Sequence, residues 1–272
     1  MNLILYTGVE STCAQKVRLV LSEKRLEWTE HLLNLREGEQ FAPEYLRLNP
    51  KAVVPTLVHE GDVIRESTVI NEYLDHAFPD PPLKPADRVA RARMRLLVKT
   101  FDDDVHPALG ILCYAVFLRP QMNATKSPQE LEAHFQKIAD PARRERQRGT
   151  HEAGLKSPTV GPAVTMLAKV VADMEDALAH GPWLAGESYS LADAAAAPYV
   201  VRMEAVGLAD LWSDRPKVYD WYQRVRDRRN CQELRDPWGT AEFAAMVAGY
   251  ADQSRSEITE FVLQAKATRQ KH

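Results

Sequence analysis

The stretch Asn49–Thr68, NPKAVVPTLVHEGDVIREST, contains two pairs of residues whose spacing suits the binding of a small peptide. Pro55 follows Val54 at the entrance of a predicted strand, where a proline is tolerated and the X-Pro bond can be cis. The pattern predicts that the backbone N–H and C=O before Pro55 face outward. Glu66 and Ser67 stand where the next helix begins, and helix N-termini bind anions. An open backbone edge beside such a helix start suits a small peptide with a free carboxylate.

A second group of reactive side chains, Ser11, Thr12 and Cys13, lies where the first predicted helix begins. Serine is a preferred helix N-cap, so a structural role is the simplest interpretation of Ser11. A cysteine at a helix start can have a lowered thiol pKa and react as a thiolate. Both interpretations need the same element, a helix that starts at this point.

The elements around these residues follow the order βαβ, short helix, ββα. Short apolar or alternating runs predict the strands, and runs with one apolar face predict the helices. The predicted strands are 3–6, 28–33, 56–59 and 63–65, and the predicted helices are 13–24, 43–48 and 67–76. The first two strands form a parallel pair with a crossover helix, and the last two form a hairpin.

A proline-rich segment, FPDPPLKPA, separates this part from a helical remainder. Its four prolines make it a stiff, extended linker. The sequence therefore predicts an α/β domain over residues 1–77, a linker over 78–86 and an all-helical domain over 87–272. The helical domain includes an insert near 121–160 and a C-terminal tail.

Helix signals organise the second domain. The first long helix is expected to adjust at His106-Pro107, because a proline interrupts the hydrogen-bond ladder. Ser127 to Glu130 is a capping box that opens a short helix in the insert, and the rest of the insert is predicted to be mobile or partly helical. Ser190 and Asp193 form a similar box before an almost wholly apolar helix, which belongs in the centre of a bundle. We interpret this second box as structural.

Composition argues against several classes of function. The formal net charge of −3 gives no reason to expect a nucleic acid or a membrane surface as partner. No apolar run has the length of a transmembrane helix, and the N-terminus lacks the basic region of a signal peptide. Three widely spaced cysteines suit a reducing cytoplasm better than a disulfide framework. The sequence contains no evident metal-ligand cluster, phosphate loop or Ser-His-Asp set.

Three segments, in order, resemble the soluble glutathione transferase family. LYTGVESTCAQKVRLVL is similar to its N-terminal signature, in the version with a serine or cysteine before the first helix. NPKAVVPTL followed by ESTVINEYL is similar to its glutathione-binding pair, and WLAGESYSLADAAAAPYV to its buried C-terminal helix. The resemblance covers about residues 1–235. It implies a thioredoxin-like α/β domain, an all-helical bundle domain, glutathione as co-substrate without a metal, and usually a homodimer.

The resemblance also implies a chemical role for the first helix start. A thiol has an ordinary pKa of about 8.5, and a hydroxyl that donates to sulfur at the positive end of a helix favours the thiolate. Ser11 is expected to donate this hydrogen bond to glutathione, and Thr12 is the second candidate. Cys13 is the competitor, because some branches of the family use such a cysteine for reduction. In branches with an S-x-C pattern the cysteine is auxiliary.

Glutathione is expected to bind across the pairs Val54-Pro55 and Glu66-Ser67. Val54 would pair with its cysteinyl part and Pro55 enforce the geometry, while Ser67 binds the γ-glutamyl carboxylate and Glu66 the ammonium group. Related sequences often carry lysine or glutamine where this chain has Val53. The candidates for the remaining contacts are Lys51, Gln40 and Arg18 for the glycyl carboxylate, and Asp103, across a dimer interface, for the γ-glutamyl ammonium.

The second substrate is expected to bind between the domains, in a pocket lined by Val9, Glu10, His106, Leu109, Tyr114 and Phe117. The leading hypothesis is a transferase that attaches the glutathione thiolate to an electrophilic hydrophobic molecule, with displacement of an aryl ether or a halide as the subtype. One alternative is a Cys13-dependent thiol-disulfide oxidoreductase. The other is a glutathione-binding or scaffold protein with little turnover.

Overall fold

The computed structural model describes residues 2–235 and 241–269. The α/β part contains β1 (Leu3–Thr7), α1 (Thr12–Glu23), β2 (Thr29–Leu32), α2 (Pro43–Leu48), β3 (Thr56–His59), β4 (Asp62–Arg65) and α3 (Ser67–Ala77). The helices that follow are α4 (Arg88–Thr100), α5 (His106–Cys113), α6 (Arg119–Thr125), α7 (Pro128–Gln136), α8 (Pro141–Ala153), α9 (Val160–Ala177), α10 (Leu191–Ala205), α11 (Pro216–Asp227), α12 (Arg229–Arg235), α13 (Ala241–Gln253) and α14 (Arg255–Arg269). The predicted order of elements is confirmed.

The strands form a mixed sheet in the order β2-β1-β3-β4. β1 is parallel to β2 and antiparallel to β3, with Tyr6 opposite Thr56. β3 and β4 are antiparallel and join through Glu60-Gly61, both of which have positive φ, as a tight hairpin turn between twisted strands requires. This sheet with its helices confirms the predicted thioredoxin-like α/β fold followed by a helical C-terminal domain.

Apolar side chains of the sheet and its helices form the core of the α/β part. The almost fully buried members are Leu3, Leu5, Val17, Val20, Leu21, Leu57, Ile70 and Leu74. Burial of each aliphatic side chain contributes about 1.5–3 kcal/mol. α1 is limited by local chemistry at both ends, because Ser11 caps its start and Arg25 adopts a left-handed φ of 54° just beyond its end.

Contacts divide the chain into two units, each built from separate sequence ranges. Among the described residues, the first unit comprises 2–101, 176–200 and 220–235, and the second comprises 102–175, 201–219 and 241–269. Within the described ranges, no helix is both long and apolar enough to cross a membrane.

The proline-rich segment before α4 is tied to the first unit by charged groups. The Asp75 carboxylate accepts a hydrogen bond from the Leu83 N–H (2.8 Å) and pairs with Lys24 (2.7 Å) and Lys84 (3.2 Å). Burial of Asp75 opposes ionisation, but these hydrogen bonds prevail and lower the pKa of the carboxyl group. The segment is therefore anchored to the end of α3 by an ionised side chain.

The insert in the second unit forms regular helices. α7 begins with the predicted capping box between Ser127 and Glu130. α8 is more regular than the predicted mobile or partly helical segment, because Asp140 accepts hydrogen bonds from two backbone N–H groups of its first turn. Phe135 packs with Tyr114 and nearby apolar side chains in a small separate core.

α10 starts in the predicted box at Ser190 and Asp193. The Asp193 carboxylate accepts hydrogen bonds from the N–H and the hydroxyl of Ser190, both at 2.9 Å. It also accepts the Leu184 N–H at 2.9 Å and the Trp221 indole N–H at 2.8 Å, which the sequence did not indicate. Burial raises the pKa of this carboxyl group against the effect of its hydrogen bonds. One side chain thus connects the start of α10 to α11.

Replacing Asp193 with alanine is expected to destabilise the protein by about 3 kcal/mol, because it leaves the buried Leu184 and Trp221 N–H groups without an acceptor. Ser190→Ala is the matched control and should cost about 1 kcal/mol, the usual effect of a lost cap. The measurement is the free energy of unfolding in urea, followed by tryptophan fluorescence and circular dichroism. Equal losses in the two variants would contradict the role of Asp193 as a connection between helices.

Candidate functional site

The predicted site residues of the α/β part gather at one end of the sheet. The register pairs Thr56 with both Tyr6 and Arg65, so the start of β3 lies beside the ends of β1 and β4. The segment before β3, the loop after β1 and the helix start after β4 therefore meet at this end. These three segments carry Val54, Ser11 and Ser67, respectively.

Ser11 is the N-cap of α1. Its Oγ accepts a hydrogen bond from the Ala14 N–H at 3.2 Å, and its side chain is half-buried. In the part of the chain that the structure describes, its hydroxyl proton is not donated to any protein group. Capping uses only the oxygen, so Ser11 can cap the helix and still donate a hydrogen bond to a ligand. Thr12 is the first residue of α1.

Cys13, the second residue of α1, lies against the hydroxyl group of Tyr199. The Cys13 Sγ and the Tyr199 hydroxyl oxygen are 3.5 Å apart, within the range of hydrogen bonds to sulfur. Tyr199 belongs to α10 and is fully buried. Sequence reasoning missed Tyr199, although a tyrosine in an almost wholly apolar helix needs a partner for its hydroxyl group.

The segment before β3 presents an unpaired backbone edge. The Val54-Pro55 bond is cis, as predicted. The Val53 carbonyl accepts hydrogen bonds from the Tyr45 hydroxyl (2.6 Å) and the Asn49 amide (2.9 Å). The N–H and C=O of Val54, by contrast, have no hydrogen-bond partner among the described residues. Val54 is largely buried, and buried polar groups are normally hydrogen-bonded. A ligand that adds an extended segment here would supply the partners.

The start of α3 combines a strained backbone with a helix N-terminus that has no side-chain cap. Glu66 has φ 66° and ψ 115°, which is costly for a residue with a side chain and is typical of functional sites. It provides no side-chain cap for α3, and helix N-termini of this kind bind anions. Ser67 is buried as the first residue of the helix. The Glu66 carboxylate pairs at the surface with Lys51, 2.7 Å away.

A buried cation lies between the two helix starts. The Lys16 side chain is 0% exposed, and its Nζ donates to the Thr68 Oγ1 at 3.2 Å. Thr68 is the second residue of α3, so Lys16 adds positive charge beside the α3 N-terminus. The sequence does not single out Lys16, because it comes one residue before Val17 and lies about 100° from it around α1, at the edge of the predicted apolar face.

The candidates for the glycyl carboxylate differ in what already binds them. Lys51 pairs with Glu66 and stays exposed. Gln40 is buried and donates to the Leu35 carbonyl, while its side-chain oxygen lacks a partner among the described residues. Arg18 is buried and pairs with Glu30 of β2 at 2.5 Å, so it connects α1 to the sheet.

The predicted pocket residues fall in both units. In the first unit, Val9 and Glu10 are half-buried in the loop after β1, and Glu10 pairs with Arg36. In the second unit, His106 is exposed at the start of α5. Asp103, the predicted partner of the γ-glutamyl ammonium, is exposed in a π-helical turn (Phe101–Val105). This turn lies at the predicted adjustment near Pro107.

Tyr114 and Phe117 are buried within the second unit. They belong to a second π-helical turn (Tyr114–Leu118), and π-helical turns often mark functional segments. The Tyr114 hydroxyl lies 3.1 Å from the His151 Nδ1, and burial raises the pKa of Tyr114 and lowers that of His151. Phe117 packs against Phe243, with ring centroids 5.8 Å apart.

Comparison with known proteins relates both parts of the chain to one protein family. The model of the glutathione S-transferase N-terminal domain matches residues 10–77, and that of the C-terminal domain matches residues 129–224. Protein LigF of Sphingobium sp. strain SYK-6 is 29% identical over 71% of this chain and 76% of its own length. The crystal structure of this protein, described as a beta-etherase, has a TM-score of 0.76 and 26% identity over 86% of this chain and 98% of its own.

Two further relatives are related to the same family. The tetrachloro-p-hydroquinone reductive dehalogenase of Sphingobium chlorophenolicum is 29% identical over 85% of this chain and 94% of its own length. A zeta-class glutathione S-transferase of Euphorbia esula is 44% identical over 32% of this chain, which is 38% of that protein. With both domain models matched in order, the chain belongs to the glutathione S-transferase family.

Proposed function

We propose that the protein is a glutathione transferase that attaches the glutathione thiolate to an electrophilic hydrophobic small molecule. The observation that carries this proposal is the meeting of three open groups at one end of the sheet. These are the unpaired backbone of Val54, the uncapped start of α3 and the Ser11 hydroxyl proton. A tripeptide with a thiol and a free carboxylate offers a complementary group to each of them.

The backbone of glutathione would extend along the segment before β3. Its cysteinyl part pairs with the N–H and C=O of Val54. The γ-glutamyl carboxylate binds Ser67 and the first N–H groups of α3, where Lys16 adds positive charge. Glu66 binds the γ-glutamyl ammonium, with Asp103 of a second copy as a further partner. Lys51 and Gln40 are the proposed partners of the glycyl carboxylate.

Ser11 would promote the chemistry by donating a hydrogen bond from its hydroxyl group to the glutathione sulfur. A free thiol is mostly protonated at neutral pH, so a donor that stabilises the thiolate raises the fraction of the nucleophile. The thiolate then attacks carbon and expels a leaving group. A beta-etherase and a reductive dehalogenase among the relatives favour an aryl ether or an aryl halide as the electrophile.

A second candidate function is thiol-disulfide exchange at Cys13. It is favoured by the position of the thiol in the first turn of α1 and by its contact with the Tyr199 hydroxyl. A third, non-catalytic candidate is glutathione binding without turnover. The three candidates share the glutathione site and differ in which group acts on sulfur.

The proposed oligomer is a homodimer through the outer faces of α3 and α4. Val69, Val89 and Leu96 are exposed on these helices, and Leu96 is 67% exposed. The Glu72–Arg95 pair at 2.9 Å joins the two helices. Val69 lies one turn before Glu72 on α3, and Val89 and Leu96 lie two turns apart on one face of α4. A second copy would cover them, as exposed apolar side chains grouped on one face favour.

Ser11→Ala is expected to lower kcat/KM for a generic aryl halide about 100-fold at pH 7, the usual effect of losing a donor to a reacting anion. The deficit should shrink as pH rises above the thiol pKa, because glutathione then ionises without help. Thr12→Ala is the matched control and should keep most activity. If conjugation is unchanged in Ser11→Ala and lost in Cys13→Ala, the serine mechanism is wrong.

Ser67→Ala is expected to raise the Kd for glutathione about tenfold, since one charge-assisted hydrogen bond to the γ-glutamyl carboxylate is lost. Isothermal titration calorimetry measures the Kd directly. Ser213→Ala, in the second unit, is the control and should bind like the wild type. Unchanged affinity in Ser67→Ala would contradict the proposed orientation. Normal binding without turnover of any electrophile would favour the non-catalytic candidate.

Leu96→Glu is expected to convert the dimer to a monomer, because it places a charge in the proposed apolar interface. Sedimentation equilibrium measures the mass. Leu263→Glu, at a comparably exposed leucine of α14, is the control and should leave the mass unchanged. A monomeric wild-type protein at micromolar concentration would exclude the proposed interface.

A further inference from the structure

The hydroxyl group of Tyr199 is the polar end of a side chain in an otherwise apolar helix. Ala194, Ala195, Ala196 and Ala197 precede it, and all of them are almost completely buried. A buried phenol hydroxyl needs a hydrogen-bond partner, because leaving it without one costs about 1–3 kcal/mol. Cys13 supplies a partner from a distant part of the chain at 3.5 Å. The contact joins the middle of α10 to the first turn of α1.

The tyrosine ring is held firmly, so its hydroxyl group has a defined position. Tyr199 is 0% exposed, and the centroid of its ring lies 5.6 Å from that of Phe101. The Lys16 Nζ lies 5.9 Å from the same centroid, within cation–π range. The rigid position of the phenol therefore restricts where the smaller Cys13 side chain can place its sulfur.

The chemistry of the pair sets the direction of the hydrogen bond once a proton is lost. A phenol ordinarily has a pKa of about 10 and a thiol about 8.5, so the sulfur carries the charge and the phenol keeps its hydrogen. The bond then runs from the Tyr199 O–H to the Cys13 thiolate, and hydrogen bonds to a charged acceptor are stronger than neutral ones. The Lys16 ammonium and the N-terminus of α1 add positive charge nearby.

We propose that Tyr199 is the positioning residue of Cys13 and that its hydroxyl group favours the Cys13 thiolate for exchange with glutathione disulfide. The inference rests on the proposed glutathione site and specifies the second candidate reaction. The Cys13 thiolate attacks one sulfur of the disulfide, a Cys13–glutathione S–S bond forms as the original S–S bond breaks, and the electron pair leaves with a glutathione thiolate. The Cys13 proton goes to solvent. Glutathione disulfide is the oxidant, and Cys13 is oxidised.

The test follows the formation of the mixed disulfide in the full-length protein by intact mass, with peptide mapping to separate Cys13 from Cys113 and Cys231. Tyr199→Phe removes only the hydroxyl oxygen and is expected to slow formation about tenfold at pH 7, which corresponds to one hydrogen bond. Its pH–rate profile should also move to higher pH. Tyr222→Phe, at another buried tyrosine of the first unit, is the control and should react like the wild type. Equal rates and profiles in wild type and Tyr199→Phe would overturn the proposal.

Two further measurements keep the outcomes distinguishable. In the wild type, alkylation of Cys13 by iodoacetamide should show a midpoint below about pH 8.5, and a midpoint at or above this value contradicts the proposal even if Tyr199→Phe does not fold. Calorimetry with glutathione tests the binding site separately. If the wild type binds no glutathione, the proposed function fails; if it binds glutathione and Tyr199→Phe exchanges normally, only the role of Tyr199 fails.

Discussion

The buried carboxylate of Asp193 is the interaction on which the arrangement of the first unit depends. It accepts hydrogen bonds from Ser190, from Leu184 and from the indole of Trp221. These bonds hold the start of α10 against the preceding turn and α11, and they satisfy donors that have no access to water. Tyr199 lies later in the same helix, so the position of its hydroxyl group beside Cys13 depends on how α10 is held.

α1 is aligned by buried cations, two in the helix and one at its C-cap, that reach α3, β2 and the proline-rich segment. Lys16 donates to Thr68 of α3, Arg18 pairs with Glu30 of β2, and Lys24 pairs with Asp75 and donates to the Pro81 carbonyl. Burial lowers the pKa of Arg18 against the opposing effect of Glu30, which shows the desolvation cost of such a contact. Charged groups that are buried at this cost specify one orientation of the helix. Because α1 begins with Ser11, Thr12 and Cys13, that orientation also places the candidate reactive groups.

The glutathione site that we propose is made mainly of backbone groups. The N–H and C=O of Val54 and the first N–H groups of α3 offer the complementary hydrogen bonds, while Tyr45 and Asn49 hold the neighbouring Val53 carbonyl. Such a site tolerates changes of side chain as long as the backbone is kept. The strained backbone of Glu66 is consistent with a conformation kept for binding.

The sequence by itself determined the order of elements, the strand and helix boundaries of the α/β part to within a few residues, and the residues of its helix starts. Those features depend on local signals, namely hydrophobic periodicity, capping side chains and the positions of prolines, and such signals can be read along the chain. Ser11, Val54, Glu66 and Ser67 were found in this way. Tertiary structure alone decided the contacts of Asp193 with Leu184 and Trp221, the burial of Lys16 and the contact between Cys13 and Tyr199. These contacts join residues 28, 52 and 186 positions apart, and no local pattern specifies which distant side chain a buried polar group will meet.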